Sequence, residues 1–226
     1  MTTKIDKMTI KCVVFDLDGT LLNTIKTITY YLNSSLSAHG LGPVSEADSM
    51  RFVGDGAARL IERALDSVGA DRSLFDSVYK VYNDAYNSSP YYLTEVYDGI
   101  PELLAFLRER DIRLAVLSNK PDFAVRKTVE KFLPNTFDVV CGGRDGIPLK
   151  PAPDSLIKIL SDLGVEPGET AYIGDSEPDV LTARNASIGM PIFVTYGFRS
   201  REQLLAAGAE EIVDTPYDIL HLFGFC

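Results

Sequence analysis

The 226-residue sequence contains only three cysteines, and this scarcity excludes several classes of protein. Cys12, Cys141 and Cys226 lie far apart and form no CxxC pair, so we expect neither a disulfide framework nor a structural zinc site. Residues 1–19 hold no apolar run long enough for a signal peptide, and no later run reaches the length of a membrane span. These absences predict a soluble protein of the reducing cytoplasm.

Positive charge and histidine are also scarce. The 22 lysines and arginines oppose 32 aspartates and glutamates, which gives a formal net charge of −10. Such a surface repels nucleic-acid phosphates and anionic membranes, so we expect neither as a partner. With only His39 and His221 and no G-x-S-x-G elbow, a Ser-His-Asp hydrolase is not indicated. The missing G-x-x-x-x-G-K-[ST] motif likewise gives no support for a P-loop nucleotide site.

Short β-rich runs alternate with amphipathic helical patterns along most of the chain. Strands are predicted at 10–15, 112–117, 137–141, 170–173, 192–195 and 211–213. Helices are predicted between them, for example at 101–110 and at 153–163, where Gly164 follows as a stop signal. This alternation is typical of a doubly wound α/β fold, in which a parallel sheet carries helices on both faces.

Residues 23–95 break the alternation, because helical patterns fill this segment and no convincing strand occurs in it. Three helices are predicted there, with apolar faces that include Leu32, Leu65 and Tyr82. We interpret the segment as a helical domain inserted into an α/β core that is made of residues 1–22 and 96–226. Segments 22–24 and 93–97 would then be the hinges between the two domains.

Polar side chains follow several of the predicted strands, at the edge of an open parallel sheet where ligands bind. The residues in these positions are Asp16, Asp18, Thr20, Ser118, Asn119, Lys150, Asp175 and Asp179. Aspartates that meet at one edge cannot all ionise unless a cation holds them together. Because the ligands offer oxygen atoms alone, the sequence predicts a Mg²⁺ site rather than a zinc site.

These residue types suit the transfer of a phosphoryl group from a phosphate ester. Asp16, directly at the strand end, is the candidate nucleophile that forms an acyl phosphate. Asp18 could protonate the leaving oxygen and then deprotonate the water that cleaves the intermediate. Lys150 supplies a point charge that ties the nucleophile to the phosphate. The side chains expected to bind the phosphoryl oxygens are Thr20, Ser118, Asn119 and Lys150.

Four motifs of the chain resemble those of the haloacid dehalogenase-like hydrolases, in the order of that family. They are Asp16-Leu17-Asp18-Gly19-Thr20-Leu21, Ser118-Asn119-Lys120, Lys150-Pro151 and Gly174-Asp175-Ser176-x-x-Asp179. The inserted helices resemble the C1-type cap of that family, and segments 52–56 and 97–100 are similar to segments of phosphoglycolate phosphatases. The resemblance implies a Mg²⁺-dependent phosphatase whose metal is held by the Asp16 carboxylate, the Asp18 backbone carbonyl and Asp175, with Asp179 in support.

The resemblance leaves other reactions open. A sugar phosphomutase or a pyrophosphatase of the same superfamily would use the same core, and only its products would distinguish it. A dehalogenase lacks the second carboxylate of the first motif, so Asp18 argues against this activity. A catalytically idle binding module is disfavoured because Asp16, Asp18, Lys150 and Asp175 are all present.

The substrate that the resemblance suggests is a small phosphorylated metabolite such as 2-phosphoglycolate. Its carboxylate needs a cationic partner, and Arg51, Arg59 and Arg63 of the inserted segment are the candidates. We expect a monomer or a homodimer.

Overall fold

A six-stranded parallel sheet forms the centre of residues 10–224, which are the residues that the computed structural model describes. Its strands are β1 (Cys12–Phe15), β4 (Arg113–Pro121), β5 (Val139–Gly143), β6 (Thr170–Gly174), β7 (Met190–Val194) and β8 (Ile212–Val213). Their order in the sheet is β5-β4-β1-β6-β7-β8. The chain thus places β4 on one side of β1 and β6 on the other. This reversal of strand order creates a crevice beyond the carboxyl end of β1.

Helices cover both faces of this sheet. They are α5 (Ile100–Arg108), α6 (Asp122–Phe132), α7 (Asp154–Leu163), α8 (Glu177–Asn185), α9 (Arg201–Ala207) and α10 (Pro216–Leu222). Val13 of β1 belongs to the apolar cluster that contains Leu104 of α5, whereas the next residue, Val14, belongs to the cluster that contains Leu156 of α7. Successive side chains of a strand point to opposite faces, so a strand covered on both faces is apolar throughout. The predicted doubly wound α/β fold is confirmed.

The segment between β1 and α5 is helical and has an apolar cluster of its own. It contains α1 (Ile25–Ser37), α2 (Glu46–Phe52), α3 (Ala57–Ser67) and α4 (Phe75–Ser88). Their shared cluster includes Leu32, Ile61 and Val78, each of them fully or almost fully buried. The sequence pattern does not predict the short α2, whose start is fixed by a capping box between Ser45 and Asp48. No helix in the described part of the chain combines the length and the apolarity that crossing a bilayer requires.

Two short strands, which the sequence pattern does not predict, pair at the base of the helical segment. β2 (Leu22–Asn23) and β3 (Glu95–Val96) run antiparallel, with Leu22 opposite Val96. Strands of two residues are too short to show an alternating pattern. The pairing holds the two chain crossings side by side, within the segments predicted as hinges. We propose that the boundaries of the inserted domain lie here.

The predicted strands and helices of the core overlap the observed ones, and the largest difference concerns β4. This strand was expected to end at residue 117, but it continues to Pro121, with a shift of its register against β5 beyond Leu117. Ser118, Asn119 and Lys120 therefore lie within the strand rather than after it. The stop signal of α7 is confirmed, because Gly164 adopts a left-handed conformation with φ of 66°.

Candidate active site

Asp16 lies at the carboxyl end of β1 and is almost completely buried. Its backbone amide donates a hydrogen bond to the Ile173 carbonyl of β6 (2.9 Å), which continues the sheet to this residue. Its side-chain Oδ1 accepts a hydrogen bond from the Leu17 amide (2.7 Å) and lies 2.9 Å from Lys150 Nζ. The candidate nucleophile is thus fixed by the strand and faces a buried ammonium group.

Asp175 follows β6 and brings a second carboxylate to the same edge of the sheet. Its Oδ1 accepts a hydrogen bond from the Thr20 hydroxyl (3.1 Å), and its Oδ2 accepts one from the Phe198 amide (2.7 Å). Gly19, with φ of 89°, lies directly against this carboxylate, and a Cβ atom at that position would collide with it. A residue without a side chain therefore lets the loop after β1 approach Asp175.

Asp179, in the first turn of α8, supplies the third carboxylate. Its Oδ1 accepts hydrogen bonds from Lys150 Nζ and from the Tyr172 hydroxyl, both at 2.7 Å. Its Oδ2 accepts from the backbone amide and the hydroxyl of Ser176. Four donors thus hold Asp179 in place. One oxygen each of Asp16, Asp175 and Asp179 lie within 4.8 Å of one another, so the structure brings three of the four predicted aspartates together, and the Asp18 carboxylate lies outside this cluster.

Burial makes this cluster of carboxylates electrostatically unfavourable. Burial raises the pKa of Asp16 well above its ordinary value, Lys150 opposes the rise, and Asp179 and Asp175 add to it. Burial and then the Asp179 carboxylate raise the pKa of Asp175 to about 7. For Lys150, burial lowers the pKa, but the charges of Asp16 and Asp179 outweigh burial and raise the pKa above its ordinary range. One ammonium group does not neutralise three neighbouring carboxylates.

This excess of negative charge fits a divalent cation. Asp179 is saturated by its four donors, so Asp16 and Asp175 are the carboxylates that remain for direct ligation. Their oxygens suit a hard cation such as Mg²⁺. The Asp18 backbone carbonyl, the further ligand that the sequence resemblance implies, stays a prediction.

Asp18 lies at the mouth of the cluster, where its side chain is 12% exposed, and it is paired with a lysine. Its Oδ1 is 3.0 Å from Lys120 Nζ, and the Lys120 side chain is 5% exposed. The same Nζ lies 5.3 Å from the centre of the Tyr86 ring of α4. Lys120 belongs to the second of the four motifs, but the sequence pattern predicts no role for it. Its place directly after Ser118 and Asn119 is the signal that could have identified it.

The side chain of Asn119 is fully occupied by backbone groups. Its Nδ2 donates hydrogen bonds to the carbonyls of Gly54 (2.9 Å) and Lys150 (3.0 Å). Its Oδ1 accepts one from the Lys150 amide (2.8 Å). Both side-chain protons therefore have acceptors within the protein, which favours a role other than the predicted phosphate binding. We assign Asn119 to positioning Lys150 and the loop around Gly54.

Ser118 and Thr20 differ from each other in whether a protein acceptor uses the proton of their hydroxyl group. The Ser118 Oγ lines the cavity and accepts a hydrogen bond from the Lys120 amide (3.3 Å), a contact that does not use its own hydroxyl proton. Ser118 thus keeps the donor that phosphate binding needs. The Thr20 hydroxyl donates to Asp175 instead, so we reassign Thr20 from the phosphate to the support of this carboxylate.

A small cavity of about 70 Å³ separates the acidic edge from the inserted helices. This volume is far below the roughly 300–1,000 Å³ of pockets for drug-sized ligands. The core contributes Asp16, Asp18, Ser118, Lys120, Lys150 and Asp175 to its lining. The inserted segment contributes mainly apolar or uncharged side chains, among them Ile28, Val53, Leu60, Tyr82, Asn83 and Tyr86. The site is therefore charged on one side and largely apolar on the other.

Arg199, which sequence analysis does not identify, connects the core to the inserted segment. Its Nε donates to Glu177 Oε2 (2.8 Å), and its Nη2 donates to the Val53 carbonyl (2.7 Å). Its Nη1 donates to the Met50 carbonyl. The residue is 7% exposed. This connection depends on how the inserted helices sit over the core, for which the sequence around Arg199 carries no signal.

The three arginines predicted to bind a substrate carboxylate lie outside the lining of the cavity. Each forms an ion pair with an acidic residue of its own segment: Arg51 with Asp48, Arg59 with Glu62 and Arg63 with Asp55. Among the described residues that line the cavity, none of these arginines occurs. The expectation that one of them binds the substrate is therefore not supported.

The chain is similar to known proteins in both sequence and structure. A family model described as haloacid dehalogenase-like hydrolase matches residues 13–192. The phosphoglycolate phosphatase of Rhodospirillum rubrum is 37% identical to this chain over 95% of this chain and 91% of that protein. The N-acetylmuramic acid 6-phosphate phosphatase of Pseudomonas aeruginosa is 32% identical over 95% of each. A crystal structure from Lactobacillus delbrueckii subsp. bulgaricus shares 33% identity and a TM-score of 0.87, over 96% of this chain and 99% of that one.

Proposed function

This chain belongs to the haloacid dehalogenase-like hydrolases and is a phosphatase, and we propose that it hydrolyses small phosphomonoesters with Mg²⁺ through a phosphorylated Asp16. The observation that carries the proposal is the convergence of Asp16, Asp175 and Asp179 within 4.8 Å of one another, beside the buried Lys150 ammonium group that contacts Asp16 and Asp179. A buried cluster of this charge suits a cation-assisted reaction of an anionic substrate.

Asp16 acts as the nucleophile in this proposal. One of its carboxylate oxygens attacks phosphorus while the ester P–O bond breaks, which gives an acyl phosphate on Asp16. Lys150, 2.9 Å from Asp16 Oδ1, lies beside the transferred group and offsets its negative charge. The Ser118 hydroxyl donates to a phosphoryl oxygen. When bound, the divalent cation supplies the further positive charge that lets an anionic carboxylate approach an anionic phosphoryl group.

Asp18 moves the protons in both steps. In the first step its carboxyl group gives a proton to the leaving oxygen of the substrate. In the second step its carboxylate takes a proton from the water that attacks phosphorus, the bond to Asp16 breaks, and inorganic phosphate leaves. Asp18 suits this role because it borders the cavity and stands apart from the aspartates that cluster around Lys150.

The inserted helices enclose the reaction. Apolar side chains such as Val53 and Leu60 line their side of the cavity, which limits the access of water during the attack. Arg199 and Asn119 hold backbone carbonyls of the inserted segment against the core. The segment has to move away to admit substrate and to release phosphate. The paired strands β2 and β3 are the place where we expect it to turn.

The substrate class that we propose is a small phosphorylated carboxylic acid. Two of the relatives described above are named for phosphoglycolate and for N-acetylmuramic acid 6-phosphate, and both of these compounds are phosphorylated acids. The small volume of the cavity favours the shorter kind of leaving group. A cytoplasmic location fits a metabolite of this kind and is part of the proposal.

The proposal is tested by phosphate release from 2-phosphoglycolate and from an aryl phosphate with Mg²⁺ present. Wild type is expected to release inorganic phosphate from both compounds, and Asp16→Asn is expected to release none from either while its circular dichroism spectrum stays unchanged. Asp84→Asn is the matched control, because Asp84 is an exposed carboxylate of α4 that pairs with Lys80. Turnover that persists in Asp16→Asn contradicts the nucleophile assignment. An isomerised sugar phosphate or cleavage of pyrophosphate alone would favour the phosphomutase or the pyrophosphatase.

A further inference from the structure

Three cationic side chains line the cavity in the described part of the chain, and two of them already have a task at the site. Lys150 Nζ lies between the carboxylates of Asp16 (2.9 Å) and Asp179 (2.7 Å). Arg199 uses Nε, Nη1 and Nη2 on Glu177 and on two carbonyls of the inserted segment. Lys150 serves the nucleophile and the phosphoryl group in the proposed reaction, and Arg199 holds the inserted segment against the core, so each already has a task at the site. The third cation is Lys120.

Lys120 lies where the leaving group of a substrate has to be. Its Nζ is 3.0 Å from Oδ1 of Asp18, the proposed proton donor to the leaving oxygen. On the other side it faces the Tyr86 ring of the inserted segment, 5.3 Å from the ring centre. An ammonium group has three donors, and the contact with Asp18 uses one of them. The remaining donors lie at the boundary between the charged edge and the apolar side of the cavity.

The inserted segment supplies no competing cation among the described residues that line the cavity. Its contributions are apolar groups, tyrosines and the amides of Asn83 and Asn87. A carboxylate that enters such surroundings without a cationic partner is strongly disfavoured, because it loses its hydration. Lys120 is therefore the cationic partner that remains for the carboxylate of a phosphorylated acid.

We propose that Lys120 recognises the carboxylate of the leaving group and so sets the preference of this enzyme for phosphorylated acids over neutral phosphate esters. The inference rests on the proposed phosphatase function and assigns to Lys120 the task first expected of Arg51, Arg59 or Arg63. Because Lys120 also touches Asp18, the charge that selects the substrate lies next to the group that protonates its leaving oxygen. Short acids, whose carboxylate lies close to the ester oxygen, fit this spacing.

The test compares 2-phosphoglycolate with ethyl phosphate, which has the same two-carbon skeleton without the carboxylate. In the Mg²⁺-loaded wild type, kcat/KM is expected to be higher for 2-phosphoglycolate. Lys120→Met is expected to reduce the ratio of the two kcat/KM values by about 10- to 100-fold, the range that loss of a hydrogen bond to a charged group gives. Lys120→Arg, which keeps the charge, is expected to retain more of this preference. Arg59→Met, the matched control at an exposed arginine of α3, should leave the ratio unchanged.

A second measurement separates recognition of the carboxylate from support of Asp18. In the Asp16→Asn background, in which no turnover is expected, adding Lys120→Met should weaken calorimetric binding of 2-phosphoglycolate more than binding of ethyl phosphate. One contrary outcome is that Lys120→Met lowers the turnover of both esters equally and weakens their binding equally. In that case Lys120 only supports Asp18, and the inference is wrong. A wild type that hydrolyses both esters without preference also overturns it. A wild type that hydrolyses neither ester, nor an aryl phosphate, contradicts the proposed function itself.

Discussion

Replacing Asp175 by asparagine is expected to stabilise the metal-free protein above neutral pH, although it removes a residue of the candidate metal site. Asp175 is 1% exposed, and burial followed by the charge of Asp179 raises its pKa from 3.8 to about 7. Between pH 3.8 and about pH 7, Asp175 of the folded protein keeps a proton that the unfolded chain has released. The stability that this proton contributes is fully present below pH 3.8 and is lost as the pH rises through about 7.

The size of the effect follows from the pKa shift. One pKa unit corresponds to about 1.4 kcal/mol, so ionised Asp175 costs the folded state on the order of 4 kcal/mol above pH 7. Asparagine stays neutral and can keep both contacts, since its oxygen can accept from the Phe198 amide and its amide can donate to the Thr20 hydroxyl. At about 2–4 °C per kcal/mol, the Tm of Asp175→Asn should exceed that of wild type by on the order of 10 °C at pH 8. The difference should shrink towards pH 4.

Thermal unfolding followed by circular dichroism in EDTA, at pH 8 and at pH 4.5, measures this difference. Comparing the two proteins at the same pH cancels the contribution of titrating groups that lie far from Asp175. Mg²⁺ without EDTA should raise the Tm of wild type at pH 8 and leave that of Asp175→Asn nearly unchanged. Asp84→Asn, at an exposed carboxylate, should behave as wild type throughout. A Tm of Asp175→Asn at or below that of wild type at pH 8 in EDTA would refute the reasoning.

Three further substitutions test other contacts of the site. Lys150→Met removes the ammonium between two buried carboxylates and should lower the free energy of unfolding at pH 8 by about 3–5 kcal/mol in urea titrations; no loss would contradict the buried pairing with Asp179. Gly19→Ala places a Cβ against Asp175 at φ of 89°, so calorimetry should show weaker Mg²⁺ binding, and unchanged affinity would contradict the close approach. Arg199→Met frees two carbonyls at the end of α2, where hydrogen exchange should become faster; unchanged exchange would exclude this connection.

The fold and the acidic edge could be predicted because they depend on local patterns. A parallel strand that is buried on both faces reads as a short apolar run, and Cys12–Phe15 ends abruptly at Asp16. The carboxyl ends of parallel strands meet at one edge whatever their exact order, so Asp16 and Asp175 could be placed together before the order was known. Predicting that these residues converge therefore required only the positions of the strands in the sequence.

The partners of the polar side chains could not be predicted in the same way. Asn119 and Thr20 carry donors that suit a phosphate, but backbone carbonyls in one case and Asp175 in the other already use these donors. Sequence shows which groups a residue offers, not which acceptor lies nearest after folding. β4 also continues through Ser118 and Asn119, because its pairing with β5 resumes beyond a shift of register. No local sequence pattern predicts this shift.

For the arginines of the inserted segment, helical periodicity could have predicted their position outside the cavity. The buried face of α3 consists of Leu60, Ile61, Ala64 and Leu65. Arg59 and Arg63 are four residues apart and share the neighbouring, charged face of the helix. This charged face also carries acidic partners such as Glu62. An apolar face that contacts the rest of the protein leaves its neighbouring charged face to solvent. The same periodicity therefore argues against a role of these arginines inside the cavity.

Asn119 contacts both the inserted segment and the acidic edge of the core. One Nδ2 hydrogen bond holds the Gly54 carbonyl of the inserted segment, while the other and the Oδ1 contact hold the backbone of Lys150. The opening that we propose for the segment would break only the first of these, and the two remaining contacts would keep Lys150 aligned with Asp16. The charges around the nucleophile can thus stay in place through each cycle of opening, and what changes with closure is the access of water and the position of Tyr86 against Lys120.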